Sequence, residues 1–300
     1  IDQIVFDVGH QCYTHKILTG RKERFSTLRQ EGGISGFTRT DESEHDIFSS
    51  GHSSVSVSQA IGLAKAKRIK AEKGKVIAVI GDGALTGGLA YEAFNNGSYD
   101  CGNLIIILND NNMSISENVG GMSRYLNGIR SGAGYNRLKK DVTATLLRIP
   151  VFGESLVDKI SRTKNSIKQL VIPGMLFENM GITYLGPVDG HDVRGMTKLF
   201  REARRLDHAV LVHVNTKKGK GYAPAEKNPS RFHGVEPFDP ATGKPRKKKI
   251  YPGYTDVFSK KLCQLAKENP RLVAITAAMP DGTGLKSFSR QYPERFFFFF

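Results

Sequence analysis

The amino-acid sequence predicts an α/β protein: a mostly parallel sheet with helices on both faces, followed by the truncated start of a second α/β domain. Three observations predict it. Near-continuous apolar runs at 75–80 (KVIAVI), 103–108 (NLIIIL) and 209–214 (AVLVHV) lack the alternation of a half-exposed strand and read as strands buried on both sides. Segments with helical spacing of apolar residues separate them, as parallel crossovers require. Two of the runs stop at polar tips, Gly81-Asp82-Gly83 and Asn109-Asp110-Asn111-Asn112. Such tips are where open parallel sheets hold ligands.

Taken in order, residues 4–8 read as the first strand. Residues 53–73 carry Val57, Ile61 and Ala64 on one helical face, with Ser53 or Ser54 placed to cap the start and Gly74 past the end. The strand at 75–80 is followed by a helix from Ala84 to about Asn95 and by the strand at 103–108. The Gly- and Asn-rich stretch 120–136 reads as a long loop and 156–170 as a helix. A helix over 193–206 and a strand over 209–214 complete the first unit. Prolines, a glycine and the basic run at 244–249 mark 237–252 as an interdomain linker. A helix over 255–267 and a strand over 272–277 then begin the second unit. The expected domains are 1–236 and 253–296. The five phenylalanines that close the sequence form an aggregation-prone run, so 297–300 are expected to be a sequence artefact. The first strand is expected to be entered partway, with its N-terminal segment absent.

At 300 residues, with 39% hydrophobic and 24% charged residues, the composition is that of a globular chain able to bury a large core. No apolar run approaches the length of a membrane span. Cys12, Cys101 and Cys263 are far apart and form no C-x-x-C pair, which argues for a reducing compartment and against a disulfide framework or a zinc site. The net charge of +15 is spread along helical faces such as 65–68. That pattern suits solvation and the steering of small anions better than nucleic-acid binding.

The carboxylate between two glycines at 81–83 has three readings. It is a wetted strand-to-helix turn, a nucleotide loop, or a metal ligand at a strand tip. Neither G-x-G-x-x-G nor G-x-x-x-x-G-K-[ST] is present here, which counts against the second. One crossover separates Asp82 from Asn111, so both stand at the carboxyl edge of adjacent strands, within reach of one cation. Asp82 offers a carboxylate, Asn111 an amide oxygen and Met113 a backbone carbonyl. Gly81, Gly83 and the amides opening at Ala84 give phosphates a close approach to backbone.

GDG followed by an NDN-type segment resembles the thiamine-diphosphate motif of transketolases and their relatives. Further segments are DVGHQCYTHKILTG (7–20), GHSS (51–54), NNMSISEN (111–118), GPVDGHD (186–192) and KKGKGYAPAEK (217–227) with Phe232-His233. Together they resemble the 1-deoxy-D-xylulose-5-phosphate synthases over essentially all of 1–295. The metal motif alone fits any thiamine-diphosphate enzyme; the combination is far more specific.

The resemblance implies a thiamine-diphosphate-binding fold and a decarboxylating condensation of pyruvate with D-glyceraldehyde 3-phosphate. It implies Mg²⁺ on Asp82, Asn111 and the Met113 carbonyl, with Gly83, Ala84 and Asn111 at the diphosphate. Gly51, His52, Ser53, His10 and Tyr222 are expected to contact the cofactor. His233 and His10 are the expected catalytic residues, His233 facing the reacting carbons. His191, between a strand and a helix, is expected to serve a turn or packing role, and His15 to lie behind the site or outside it. The complete protein is expected to be a homodimer in a bacterial cytoplasm or a plastid stroma, with no nucleic-acid or membrane partner. The family's activating glutamate is expected beyond residue 296, so this chain alone is expected to be inactive. The alternatives are a transketolase or other thiamine-diphosphate enzyme subunit, and a non-enzymatic basic binding module.

Overall fold

In a computed structural model of the chain, the structure describes residues 2–9, 12–97, 99, 101–113, 120–131, 175–234, 237–246, 251–277 and 279–299. Five strands make one sheet: β1 (Gln3–Phe6), β2 (Val76–Gly81), β3 (Leu104–Asp110), β4 (Thr183–Asp189) and β5 (Val210–Asn215). Their order is β1-β2-β3-β5-β4, and every neighbouring pair is parallel.

Successive residues of a strand face opposite sides, and here both sides are apolar. Val76, Ala78 and Ile80 of β2 and Leu104, Ile106 and Leu108 of β3 enter one core. Ile105 of β3 and Val210, Val212 and Val214 of β5 enter the other, with Ile77 and Ile107 packed beside them. The first core is closed by α1 (Ser56–Ile69), α2 (Gly88–Gly97), α3 (Gly121–Ser131) and α4 (Met175–Asn179). The second is closed by α5 (Val193–Arg205) through Met196, Leu199, Phe200 and Ala203. Crossover handedness explains the division. From β1 to β4 the chain steps always in one direction across the sheet, so right-handed connections leave their helices on one face. The return from β4 to β5 reverses direction and puts α5 on the other. The reversal creates a switch point at the tips of β3 and β5, where α/β sheets open a ligand crevice.

The expected loop at 120–136 is corrected in part by α3. Gly120, Gly121 and Gly128 suggested a loop, but Leu126 and Ile129 are buried in the first core with Met122 packed against it, and tertiary burial outweighs their low propensity. The expected serine cap at 53–54 is corrected as well. Val55 is the N-cap residue of α1 and makes no side-chain cap; the buried Asp7 carboxylate accepts the N–H groups of Ser54 at 2.8 Å and Ser56 at 3.0 Å instead. The helix expected from Ala84 divides into a 3₁₀ turn, Ala84–Thr86, and α2. The helix expected over 156–170 lies outside the described residues.

The sequence reading left 13–27 unassigned. It coils through Tyr13–Lys16, Ile17–Arg21 and Lys22–Thr27. A buried ion cluster ties it to the following segment: Arg21 grips Asp46 through both terminal nitrogens at 2.7 and 2.8 Å, His15 meets Asp46 at 2.9 Å, and Lys16 meets Glu42 at 2.5 Å.

Residues 237–246 fold back on themselves through a Phe238–Pro245 bridge, and Phe238 packs on Tyr222 and Phe232. Beyond them α6 (Tyr254–Glu268), β6 (Ala274–Ala277), α7 (Lys286–Gln291) and β7 (Phe296–Phe299) surround a small core of Ala266, Ala274, Leu285 and Phe288. β7, made wholly of phenylalanine, pairs in parallel with β6. Among the described residues no helix is long and apolar enough to cross a membrane.

Candidate functional site

The register of β2 against β3 ends with Gly81 opposite Asn109, and the Asp82 N–H reaches Asn109 O at 3.3 Å. Asp82 therefore stands one residue beyond the last pair of its strand and Asn111 two beyond on the neighbour. Asp82 and Asp110 are both buried and their carboxyl groups interact. Burial, and then the charge of Asp110, pushes the Asp82 carboxyl up to about 7. Two acids crowded into a dry corner need a counter-charge to be ionised together.

The turn after β3 is tight. Asp110 Oδ1 accepts the Asn112 N–H at 3.0 Å, Asn111 Oδ1 accepts the Met113 N–H at 3.1 Å, and Asn112 has a φ of 61°. The turn gathers the Asn111 amide and the Met113 backbone at the edge that Asp82 occupies. Among the described residues no three His, Cys, Asp or Glu side chains form a metal cage. A carboxylate, an amide oxygen and a backbone carbonyl do not suit zinc. They do fit Mg²⁺, which takes one or two protein carboxylates and fills its octahedron with phosphate oxygens and water.

Gly83 opens the Ala84–Thr86 turn and its carbonyl accepts from Thr86, from N–H at 3.1 Å and from Oγ1 at 2.7 Å. Ser54 Oγ donates to Ala84 O at 2.7 Å, fastening the loop before α1 to this turn. The fit leaves no room at Gly87, where a Cβ would lie 2.2 Å from Ser54 Oγ. Gly51 lies over the Phe37 ring, and His52 and Ser53 are exposed, His52 Nδ1 meeting Ser53 O at 2.7 Å. Among the described residues five non-glycine residues have positive φ, and three of them, Val8, Ser54 and Asn112, lie in the loops of this edge. Such backbone costs about 1–3 kcal/mol each and gathers at functional sites. His10 falls outside the described residues.

The segment after β5 closes the third side. Thr216 N–H donates to Asp110 O at 2.8 Å and Thr216 Oγ1 to Asn109 Oδ1 at 2.7 Å. Lys218 follows, with Nζ 2.8 Å from His233 Nδ1. Burial lowers the Lys218 ammonium to about 8, and the Asp82 charge works against that shift. Asp82, Lys218 and His233 thus share one electrostatic neighbourhood. Tyr222 is turned to an aromatic cluster with Phe232 and Phe238, and its hydroxyl donates to Pro240 O at 2.8 Å. His191 Nε2 accepts the Lys217 N–H at 2.9 Å and shapes that turn.

The sequence reading missed Asp110, Lys218 and His213. His213 carried a signal: an imidazole inside the apolar run of β5 must find a partner when buried. Lys218 carried a weaker one, as a basic residue just past a strand that ends at the same edge.

A family model described as 1-deoxy-D-xylulose-5-phosphate synthase matches residues 1–216. The chain is 56% identical over 297 residues to the 1-deoxy-D-xylulose-5-phosphate synthase of Desulforudis audaxviator, covering 99% of this chain and 46% of that protein. It is 53% identical over 299 residues to 1-deoxy-D-xylulose-5-phosphate synthase 1 of Geobacter sulfurreducens, covering 99% and 47%. The chain therefore spans about half the length of the curated relatives it matches. Among solved structures, transketolase from Campylobacter jejuni resembles it with a TM-score of 0.51 and 21% identity, over 76% of this chain and 31% of that one. At that identity the likeness is one of fold.

Proposed function

The chain belongs to the 1-deoxy-D-xylulose-5-phosphate synthase family, and from that membership we propose that it carries the Mg²⁺- and diphosphate-binding portion of an enzyme condensing pyruvate with D-glyceraldehyde 3-phosphate. What supports the reading is that Asp82 and Asn111 follow directly on the ends of the neighbouring strands β2 and β3, beside the Gly83–Ala84 turn. Asp82, the Asn111 amide and the Met113 carbonyl hold Mg²⁺, and the backbone at Gly83 and Ala84 receives a diphosphate. Bound thiamine diphosphate supplies a nucleophilic carbon suited to the loss of CO₂ from a 2-oxo acid.

The remaining roles belong to protein groups. Lys218 sets a buried positive charge toward the anionic ligand. His233, engaged at Nδ1 by Lys218, holds or moves a proton at a substrate oxygen. By the family resemblance Gly51, His52, Ser53, His10 and Tyr222 contact the cofactor. The complete protein acts as a homodimer in the bacterial cytoplasm. The 56% identity to a 1-deoxy-D-xylulose-5-phosphate synthase favours pyruvate as donor.

The test uses the complete gene product with Mg²⁺, thiamine diphosphate, pyruvate and D-glyceraldehyde 3-phosphate. CO₂ and a 1-deoxy-pentulose phosphate are expected in equal amounts. Preference for ketose phosphate donors over pyruvate would overturn the assignment.

A further inference from the structure

β4 and β5 bring a buried polar chain to the metal edge from behind. Tyr184 Oη lies 2.6 Å from His213 Nδ1, and His213 Nε2 lies 3.0 Å from Asp110 Oδ2. His213 and Asp110 are 0% and 1% exposed, and Tyr184 is at 9%. Strand parity explains the meeting. Leu108 and Asp110 of β3, Leu211 and His213 of β5, and Tyr184 of β4 all face the side covered by α1 to α4, and so does Asp82 beyond β2. The remaining Asp110 oxygen accepts the Asn112 N–H that sets the left-handed turn. Asp110 thus joins the relay on one oxygen to the 111–113 turn on the other.

We propose that Tyr184 and His213 are positioning residues that hold Asp110, and through it the 111–113 turn, in the conformation that receives a divalent cation. The Tyr184 hydroxyl donates to Nδ1, which leaves the imidazole proton on Nε2 for donation to Asp110. Asp110 so held cannot rotate, and the turn it clamps keeps Asn111 and the Met113 carbonyl at the strand tip. This inference rests on the metal role proposed for Asp82 and Asn111. Groups that orient metal-binding side chains from behind commonly change metal affinity about 10- to 100-fold when removed.

The test titrates Mn²⁺ into the complete gene product at saturating thiamine diphosphate and reads free Mn²⁺ by electron paramagnetic resonance, so no turnover is needed. His213→Leu is expected to weaken Mn²⁺ binding about 10- to 100-fold. His213→Gln, which keeps an N–H toward Asp110, is expected to restore most of the affinity, a rescue that mere filling of the core would not produce. Tyr184→Phe, the loss of one oxygen atom, is expected to weaken binding several-fold and decides the matter if His213→Leu does not fold. Tight Mn²⁺ binding by the wild type with all folded variants within twofold of it would overturn this inference and leave the metal site standing. A wild type that takes up no Mn²⁺ would overturn both.

Discussion

Asp7 and Asp82 are both buried carboxylates at the carboxyl edge of the sheet, and their surroundings differ. Asp7 accepts two backbone N–H groups at the start of α1. Asp7→Ala leaves both donors buried without an acceptor and is expected to cost about 2–4 kcal/mol in urea denaturation, with Asp7→Asn costing less. Asp82 is instead crowded by burial and by Asp110. Its folded pKa, about 7, lies above the ordinary carboxylate value, so the folded state binds the extra proton between the two. Metal-free stability should therefore fall as pH rises through that window. Asp82→Asn is expected to be more stable than wild type at pH 8 in chelator, by on the order of 3 kcal/mol, and the gap should close near pH 4. Urea titrations at the two pH values check this; a less stable variant at pH 8 would contradict it. The placement of Asp82 and Asn111 at the ends of neighbouring strands was legible because their spacing follows strand, crossover and strand. Asp110, His213 and Lys218 were not, because their partnerships join residues distant in sequence and exist only after the sheet has formed.

At the scale of elements, β2, β3 and β5 were legible because burial on both faces writes an unbroken apolar run. α3 was hidden by its glycines, and only its contacts with the core explain it. β4 was legible only as a strand before His191, since Gly186 and Pro187 interrupt its pattern and shift its register against β5. Phe177 of α4 anchors this edge, packing on Phe94 of α2 at 5.4 Å and on Tyr184 of β4 at 6.2 Å. Phe177→Ala is expected to lose about 3–5 kcal/mol of stability by chemical denaturation. The coil at 13–27 depends on charge rather than on apolar burial. Burial opposes ionisation of Asp46, but hydrogen bonds from Arg21, His15 and the Arg39 N–H overcome it and hold its carboxyl below the usual range. A depressed acid stabilises above its unfolded pKa and loses that contribution as pH falls below it. The stability gap between wild type and Asp46→Asn should stay constant from pH 7 to 5 and narrow below about pH 4. A gap that widens in acid would contradict that role.

Across the whole molecule, one reversal in strand order builds the site. The tips of β2, β3 and β5 converge on Asp82, Asn111 and Lys218 in a chain of net charge +15. An anionic ligand is drawn toward such a field, and its capture should weaken as salt rises. Ligand that binds only the folded state raises the melting temperature by mass action. Mg²⁺ and thiamine diphosphate together are expected to stabilise the chain more than either alone, and chelator should remove the gain. Calorimetric titration of thiamine diphosphate into the complete gene product tests the central claim most directly. With Mg²⁺ present binding is expected, and with chelator or in Asp82→Ala it should weaken at least tenfold. Equal binding under all three conditions would contradict the shared metal site.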